Sequence, residues 1–392
     1  MKIRLFNAKY SPNLGDGLLS ECLENALQET NDKFLQVTSI DAAGRTEYDA
    51  GSTSRGTLLK YLHQLPDWLR RTVLWLPLRM KMNKSWQPHY SRSLHDADAL
   101  VIGGGNLFTD MDLNFPTKIA GVIKSAKARN MPISIYGVGV SDEWSDAGLR
   151  LMENAFRGAS VEYVSVRDAA SKQNFDRLFS RMVGRNADIV RDPGLLISRY
   201  VPSEGAQTEV VGINVMSAVA VRYHSATNIG DDALLDWYSS FCNALANAGL
   251  KISLFTNGSP EDVQFAKRLA PLLRRQSSPI DLYRPKDPSE LARFVAGCAL
   301  VVAFRMHALI AAHSYGIPVI ALKWDKKVEW FMESIGNKNL IDVSNARPET
   351  VATMVINSIG SIDERRDNSA TVEEAFKHVN ALATSLSRRD VS

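Results

Sequence analysis

At 392 residues the chain has room for two to three domains of about 150 residues each. With 45% hydrophobic and 23% charged residues it has the make-up of a folded globular protein, which excludes a fibrous or largely disordered chain. The 46 Lys and Arg nearly balance the 43 Asp and Glu, and a net charge of +3 is too small for the field of a dedicated nucleic-acid binder, so an anionic ligand must be met by a local site.

The opening MKIRLFNAKYSPNLGDG turns polar after six residues and lacks the apolar stretch of a signal peptide; Lys2–Asn7 reads as a first β-strand. The next helix, Leu18–Glu29, carries a one-sided stripe of Leu18, Leu19, Cys22, Leu23, Ala26 and Leu27, with Asp16 expected as its N-cap. Residues 41–60, rich in Gly, Ser and Thr, read as a mobile insertion. Further strands are predicted at Ala99–Ile102, Pro132–Val138, Tyr163–Val166 and Ile189–Val190, with helices between them. A polar, Pro-containing linker, Ser198–Glu209, leads to a second series at Val210–Val215, Lys251–Thr256, Ile280–Leu282, Leu300–Ala303 and Pro318–Leu322. The tail from Ile362 opens with charges and reads helically from Thr371 to Leu386.

Short apolar runs alternating with helical segments specify parallel sheets built from βαβ units. The fold class is therefore α/β, with two Rossmann-like domains, 1–200 and 201–361, facing across a cleft, and a helical tail over 362–392. Ligands of such sheets lie beyond the carboxyl ends of the strands. The most apolar region, Ala299–Leu322, is interrupted by Arg305, His307 and His313, so no membrane span is expected. Cys22, Cys242 and Cys298 are far apart and form no CxxC pair, which argues against a disulfide framework or a zinc site and for a reducing, cytoplasmic setting.

Several strand ends carry chemistry. Asn13-Leu14-Gly15-Asp16-Gly17 follows the first strand and opens a helix, where free N–H groups and the dipole favour an anion; it is not GxGxxG and does not specify a dinucleotide. A carboxylate beside an anion is unfavourable, so Asp16 more naturally meets a hydroxyl or orients a neighbour. Gly103-Gly104-Gly105-Asn106 allows close approach of backbone to ligand, or equally a tight turn with no ligand, and Gly137-Val138-Gly139-Val140 repeats the theme. Arg167, at the end of Val164-Ser165-Val166, presents a fork for a carboxylate or phosphate, or pairs with Asp168. In Phe304-Arg305-Met306-His307, a fixed cation, a titratable imidazole and a helix N-terminus converge, which suits an anionic substrate whose reaction moves a proton. His313, six residues on, is given no role. No His/Asp/Glu set has metal-ligand spacing, so neither a metal nor a cofactor is expected.

Residues 55–92 hold eight Lys or Arg against one acid, Asp67, interleaved with Trp68, Trp75 and Trp86. The stretch reads as a helical hairpin with a solvated basic face, or as a surface for peripheral contact with an anionic membrane.

Together, Asn13-x-Gly15-Asp16, Gly103-Gly104-Gly105-Asn106, Ser165-Val166-Arg167-Asp168, Asp192-Pro193-Gly194-Leu195-Leu196, and Arg305-Met306-His307 with Gly316-Ile317-Pro318-Val319-Ile320-Ala321 resemble the polysaccharide pyruvyl transferase family. The resemblance implies a glycosyltransferase-B-like arrangement and transfer of a pyruvyl group from phosphoenolpyruvate to two hydroxyls of a saccharide in exopolysaccharide or capsule synthesis. It further implies that Arg167 and Arg305 hold the donor's anionic groups, that His307 is the acid/base, and that Asn13, Gly15, Asp16, Gly103, Gly104, Gly105 and Asn106 belong to the site. The chain departs from the family pattern at Asp192-Pro193-Gly194, where alanine more often follows the proline, and residues 41–95 carry no family anchor. The acceptor, lipid-linked, nucleotide-linked or polymeric, is left open. A nucleotide-sugar glycosyltransferase and a non-catalytic saccharide-binding subunit are the competing readings.

Overall fold

The computed structural model describes residues 1–30, 35–48, 67–110, 112–203, 209–218, 230–273, 280–360 and 367–387. Most of the expected insertion 41–60, part of the linker Ser198–Glu209 and the charged start of the tail lie outside the described residues.

In the first half, β1 (Lys2–Asn7), α1 (Leu14–Glu29), β2 (Gln36–Asp41), α2 (Asp67–Lys81), α3 (Gln87–Ser93), β3 (Ala99–Gly103), α4 (Asn114–Lys127), β4 (Ile133–Val138), α5 (Asp146–Phe156), β5 (Val161–Val166), α6 (Ala169–Leu178) and β6 (Asp188–Ile189) follow one another. In the second half come β7 (Val210–Asn214), α7 (Asp231–Asn247), β8 (Lys251–Phe255), α8 (Pro260–Leu273), β9 (Asp281–Tyr283), α9 (Pro288–Gly297), β10 (Leu300–Ala303), α10 (Met306–Ser314), β11 (Val319–Lys323), α11 (Lys326–Ser334), β12 (Leu340–Asp342) and α12 (Pro348–Gly360), and the tail forms α13 (Ser369–Ser387).

Two six-stranded sheets result, ordered β2-β1-β3-β4-β5-β6 and β12-β11-β10-β7-β8-β9, and every strand pair in both is parallel. The two Rossmann-like domains expected from the alternating pattern are therefore present. Central strands such as β3 and β4 are buried at every residue, which is why they appear in the sequence as unbroken apolar runs. Two strands escape that signal. β2 alternates exposed and buried residues, and β12 has three residues.

The strand order reverses between β1 and β3 in the first sheet and between β7 and β10 in the second. These are the two switch points, where loops diverge and leave room for a ligand. The Leu14 amide donates to the Asn257 carbonyl at 2.7 Å, so the loop after β1 meets the loop after β8 across the domain boundary.

The domains are not joined by loops alone. One apolar cluster contains Leu5, Leu18 and Leu23 of the first half, Leu291, Val301 and Ile310 of the second, and Val379 and Leu382 of α13. The tail thus crosses back onto the first domain. Arg191 Nε donates to Glu374 at 2.8 Å and its amide to His378 Nδ1 at 3.0 Å, while His313 Nε2 lies 3.0 Å from the Thr371 hydroxyl, which gives that histidine a structural clasp. Leu382 is fully buried in the shared cluster. Leu382→Ala should therefore lower the unfolding free energy by about 2–5 kcal/mol, read from the urea midpoint at unchanged slope.

Candidate functional site

The site is built where the two switch points meet. After β1, Asn13 has extended backbone (φ −81, ψ 102) and its side-chain oxygen accepts from the Gly15 amide at 3.3 Å, so Asn13 caps α1. This corrects the expected cap: Asp16 lies inside the first turn because the helix starts at Leu14, four residues earlier than the apolar stripe indicates. Gly15 is required by contact. A Cβ there would lie 2.6 Å from both Cβ and Nδ1 of His307, so the first turn of α1 packs directly on the imidazole of the other domain.

The three glycines after β3 divide by function. Gly103 and Gly104 make room for Leu23 and Leu19 of α1, which is packing. Gly105 has φ +73 and brings the backbone beside Asp16, whose Oδ1 is 3.9 Å from an ideal Cβ at that position. Its carbonyl accepts from the Gly139 amide at 2.8 Å. Over Gly139 converge Asn106 and Arg167, at 2.6 Å (Oδ1) and 2.9 Å (Nη2) from where a Cβ would sit.

Arg167 is almost wholly buried, 3.5 Å from Asp168 and 3.9 Å from Asp192, too long for either carboxylate to hold it by hydrogen bonds. Both acids are committed locally: Asp168 caps α6 by accepting from the Ser171 amide at 2.6 Å, and Asp192 accepts from the Gly194 amide at 2.9 Å. Arg305 is held differently. Its Nε and Nη2 both donate to Oδ2 of the fully buried Asp262, at 2.9 and 2.6 Å, and Asp262 Oδ1 accepts from the Ser217 amide at 2.9 Å. The Arg305 amide donates to Asn214 Oδ1 at 3.2 Å, so the end of β7 fixes the backbone of this residue while α8 fixes its guanidinium.

His307 is buried in the first turn of α10. Burial holds its pKa below the ordinary histidine value; Asp192 and Asp16 pull the other way, and Arg167 and Arg305 reinforce the lowering. Charged groups from both domains therefore act on one ring. Lys327, in the first turn of α11, is also held below the usual lysine range, first by burial and then by Arg167, while Asp325, 3.4 Å away, and Asp168 oppose this.

Asp192, Asp262 and Lys327 are the residues that sequence reasoning did not place in the site. Asp192 carried a signal, since Asp192-Pro193-Gly194 was a recognisable anchor, and Trp324-Asp325-Lys326-Lys327 stands at a strand end like the others. Asp262 carried none, being one helical acid among many. Four side-chain atoms of this cluster, Asn106 Oδ1, Arg167 Nε, Asp192 Oδ2 and His307 Nε2, are buried without a hydrogen-bond partner. Buried polar atoms are ordinarily paired, so their concentration here makes this cluster the candidate site for a polar ligand.

Removing one partner of a buried ion pair strands the other. Asp262→Ala should destabilise the fold by about 3–5 kcal/mol by leaving Arg305 uncompensated, measured by denaturant unfolding.

Comparison with solved structures finds the same two-domain, glycosyltransferase-B-like architecture over the whole chain. A UDP-GlcNAc 2-epimerase of Methanocaldococcus jannaschii is 13% identical, covering 98% of this chain and 100% of its own, with a TM-score of 0.56. A putative UDP-N-acetylglucosamine 2-epimerase of Listeria monocytogenes is 10% identical over 100% of this chain and 97% of its own, at 0.60. Anabaena HepE in complex with UDP-glucose is 13% identical over 98% and 94%, at 0.50. At such identities the likeness shows the fold. No curated protein sequence matches the chain. The family profile of polysaccharide pyruvyl transferase matches residues 13–326, from the cap of α1 to the first residue of α11, and the chain belongs to that family.

Proposed function

We propose that this transferase moves the pyruvyl group of phosphoenolpyruvate onto two hydroxyls of a saccharide as a cyclic ketal. The observation that carries the reading is the meeting of three cations, Arg167, Arg305 and Lys327, with a buried imidazole among polar atoms that have no partner in the protein. A carboxylate and a phosphate on a three-carbon skeleton match that charge pattern. Arg167, with Nε unpartnered, is the better placed clamp. Arg305 presents to the donor only what its pairing with Asp262 leaves, so it acts as an oriented rather than a mobile cation.

The chemistry then follows from proton bookkeeping alone. Protonated His307 delivers its proton to C3, the methylene carbon becomes a methyl, and C2 becomes electrophilic. One sugar hydroxyl adds to C2 and gives up its proton. The C2–O bond to phosphate breaks with the electron pair leaving on phosphate, which the cations stabilise. The second hydroxyl adds to C2 and closes the ketal, and its proton departs as well. One released proton restores His307 and the other leaves with phosphate, so no oxidant or cofactor enters the balance. Asp16, beside Gly105 and within electrostatic reach of His307, suits the acceptor side, where a carboxylate can take a hydroxyl proton.

His307→Ala should lower turnover by about 10²–10⁴-fold while phosphoenolpyruvate still raises the melting temperature. Wild-type chain at about 100 times the dissociation constant should gain roughly 2.7 kcal/mol. Stabilisation by uridine or guanosine diphosphate instead, with indifference to phosphoenolpyruvate, would transfer the assignment to glycosyl transfer.

The pH dependence has a determined sign. In the ligand-free site the ring is neutral down to a pH below the ordinary histidine value, so kcat/KM falls as pH rises through that lowered pKa. A bound anionic donor offsets Arg167 and Arg305 and raises the ring's pKa, so the corresponding limb of kcat should lie at higher pH. Both limbs should vanish from the residual activity of His307→Gln; limbs that persist there would remove His307 as the acid.

A further inference from the structure

Among its described residues, the basic, Trp-bearing stretch contributes none to the cluster around His307. Its second half is firmly seated: Trp86 is buried with Nε1 donating to the Ala43 carbonyl at 3.2 Å, and the buried Tyr90 of α3 donates to the Ala42 carbonyl at 2.7 Å. Its first half, α2, is not. Leu78 packs against the domain core, but Val73, Trp75, Leu76 and Met80 are 49%, 50%, 56% and 48% exposed. Val73, Leu76 and Met80, spaced by three and four residues, form one stripe along the helix. Trp75 flanks it, with the Arg79 guanidinium 5.1 Å from the ring centroid. Elsewhere among the described residues, the exposed large apolar side chains are Ile189 and the less exposed Leu272, and they lie on separate elements.

The charges around this stripe have one sign. Arg79, Lys81 and Lys84 are exposed beside it, and from Trp68 to His95 the chain holds six Lys or Arg and no Asp or Glu. A second copy of the chain would bring the same positive fringe against itself. A bilayer with anionic headgroups complements both parts, taking the apolar stripe below the headgroups and the cations among them, with Trp at the boundary. We propose that α2 is an in-plane docking helix for an anionic lipid surface. Trp86 and α3 are seated on residues 42–43, immediately after the carboxyl end of β2, so the base of this stretch is anchored at the carboxyl edge of the first sheet. The corollary that the saccharide acceptor is lipid-linked rests on the pyruvyl-transfer reading; the docking does not.

The test is co-sedimentation of the full chain with vesicles of phosphatidylcholine, with and without phosphatidylglycerol. The wild type should partition at least about tenfold better onto the anionic vesicles, and added salt should weaken this. Trp75→Glu with Leu76→Glu, and separately Arg79→Glu with Lys84→Glu, should each reduce partition by about tenfold or more, with unchanged circular dichroism and unchanged turnover of a soluble saccharide acceptor. Failure of the wild type to bind, equal binding to neutral vesicles, or wild-type binding by both variants would overturn the proposal. So would a dimer that Trp75→Glu with Leu76→Glu abolishes in a chain indifferent to vesicles. Failure of phosphoenolpyruvate to stabilise the wild-type chain would instead count against the reaction and leave the vesicle result standing.

Discussion

The contact of Gly15 with His307 is the constraint on which the site depends. Because no side chain intervenes, the first turn of one domain's leading helix rests on the imidazole of the other. That single approach sets the separation of the two switch points, and with it the spacing of Asn13 and Asp16 from Arg305 and Lys327. Asn13 holds the turn in place with its side chain, and the Leu14–Asn257 hydrogen bond pins the neighbouring loop. The glycine that sequence reading associates with an anion is used here to admit a ring.

Around that ring the protein arranges buried charge in opposed sets. Asp192 and Asp16 favour its protonation, Arg167 and Arg305 oppose it, and burial tips the balance towards the neutral form. A site so poised responds strongly to an incoming anion, since neutralising the two guanidinium groups releases the effect of the carboxylates. On the proposed reading the ring would take up its proton as the donor arrives, which would couple acid strength to occupancy. The cost is a cluster of polar atoms without partners in the protein, the kind of local deficit that functional sites tolerate when the surrounding core is well packed.

Much of this architecture was legible from residue pattern. Short apolar runs bounded by turn signals locate ten of the twelve strands, continuous where a strand is buried on both sides as β3 and β4 are, and reaching even the exposed edge strands β6 and β9; β2, with its alternating pattern, and β12 are not located. Residues of the candidate site were legible where they sit at strand ends, as Arg167 and Arg305 do. What one sequence does not carry is pairing over long separations. Nothing local says that Asp262, 43 residues before Arg305, is its ion-pair partner, or that Lys327 and Arg167 lie within electrostatic reach of each other. The displaced cap of α1 has a simpler cause. Leu14 and Gly15 are buried against Gly258 and His307 of the opposite domain, and Gly17 against Tyr48 and Lys9 of its own domain and Pro288 of the other, rather than by the helix's own stripe, so the true first turn does not show in the amphipathic pattern.

The apolar cluster shared by α1, α9, α10 and α13 bears on how such an enzyme moves. Two-domain folds with a cleft are commonly pictured as jaws on a hinge, and a hinge needs an interface that can part. Here the walls of the cleft are anchored in one contiguous core, tied by the tail that returns from the second domain to the first. Wide opening would expose that core, so the halves should melt as a single cooperative unit. On this packing, a change in the aperture of the cleft either is confined to the loops at its rim or exposes part of the shared core.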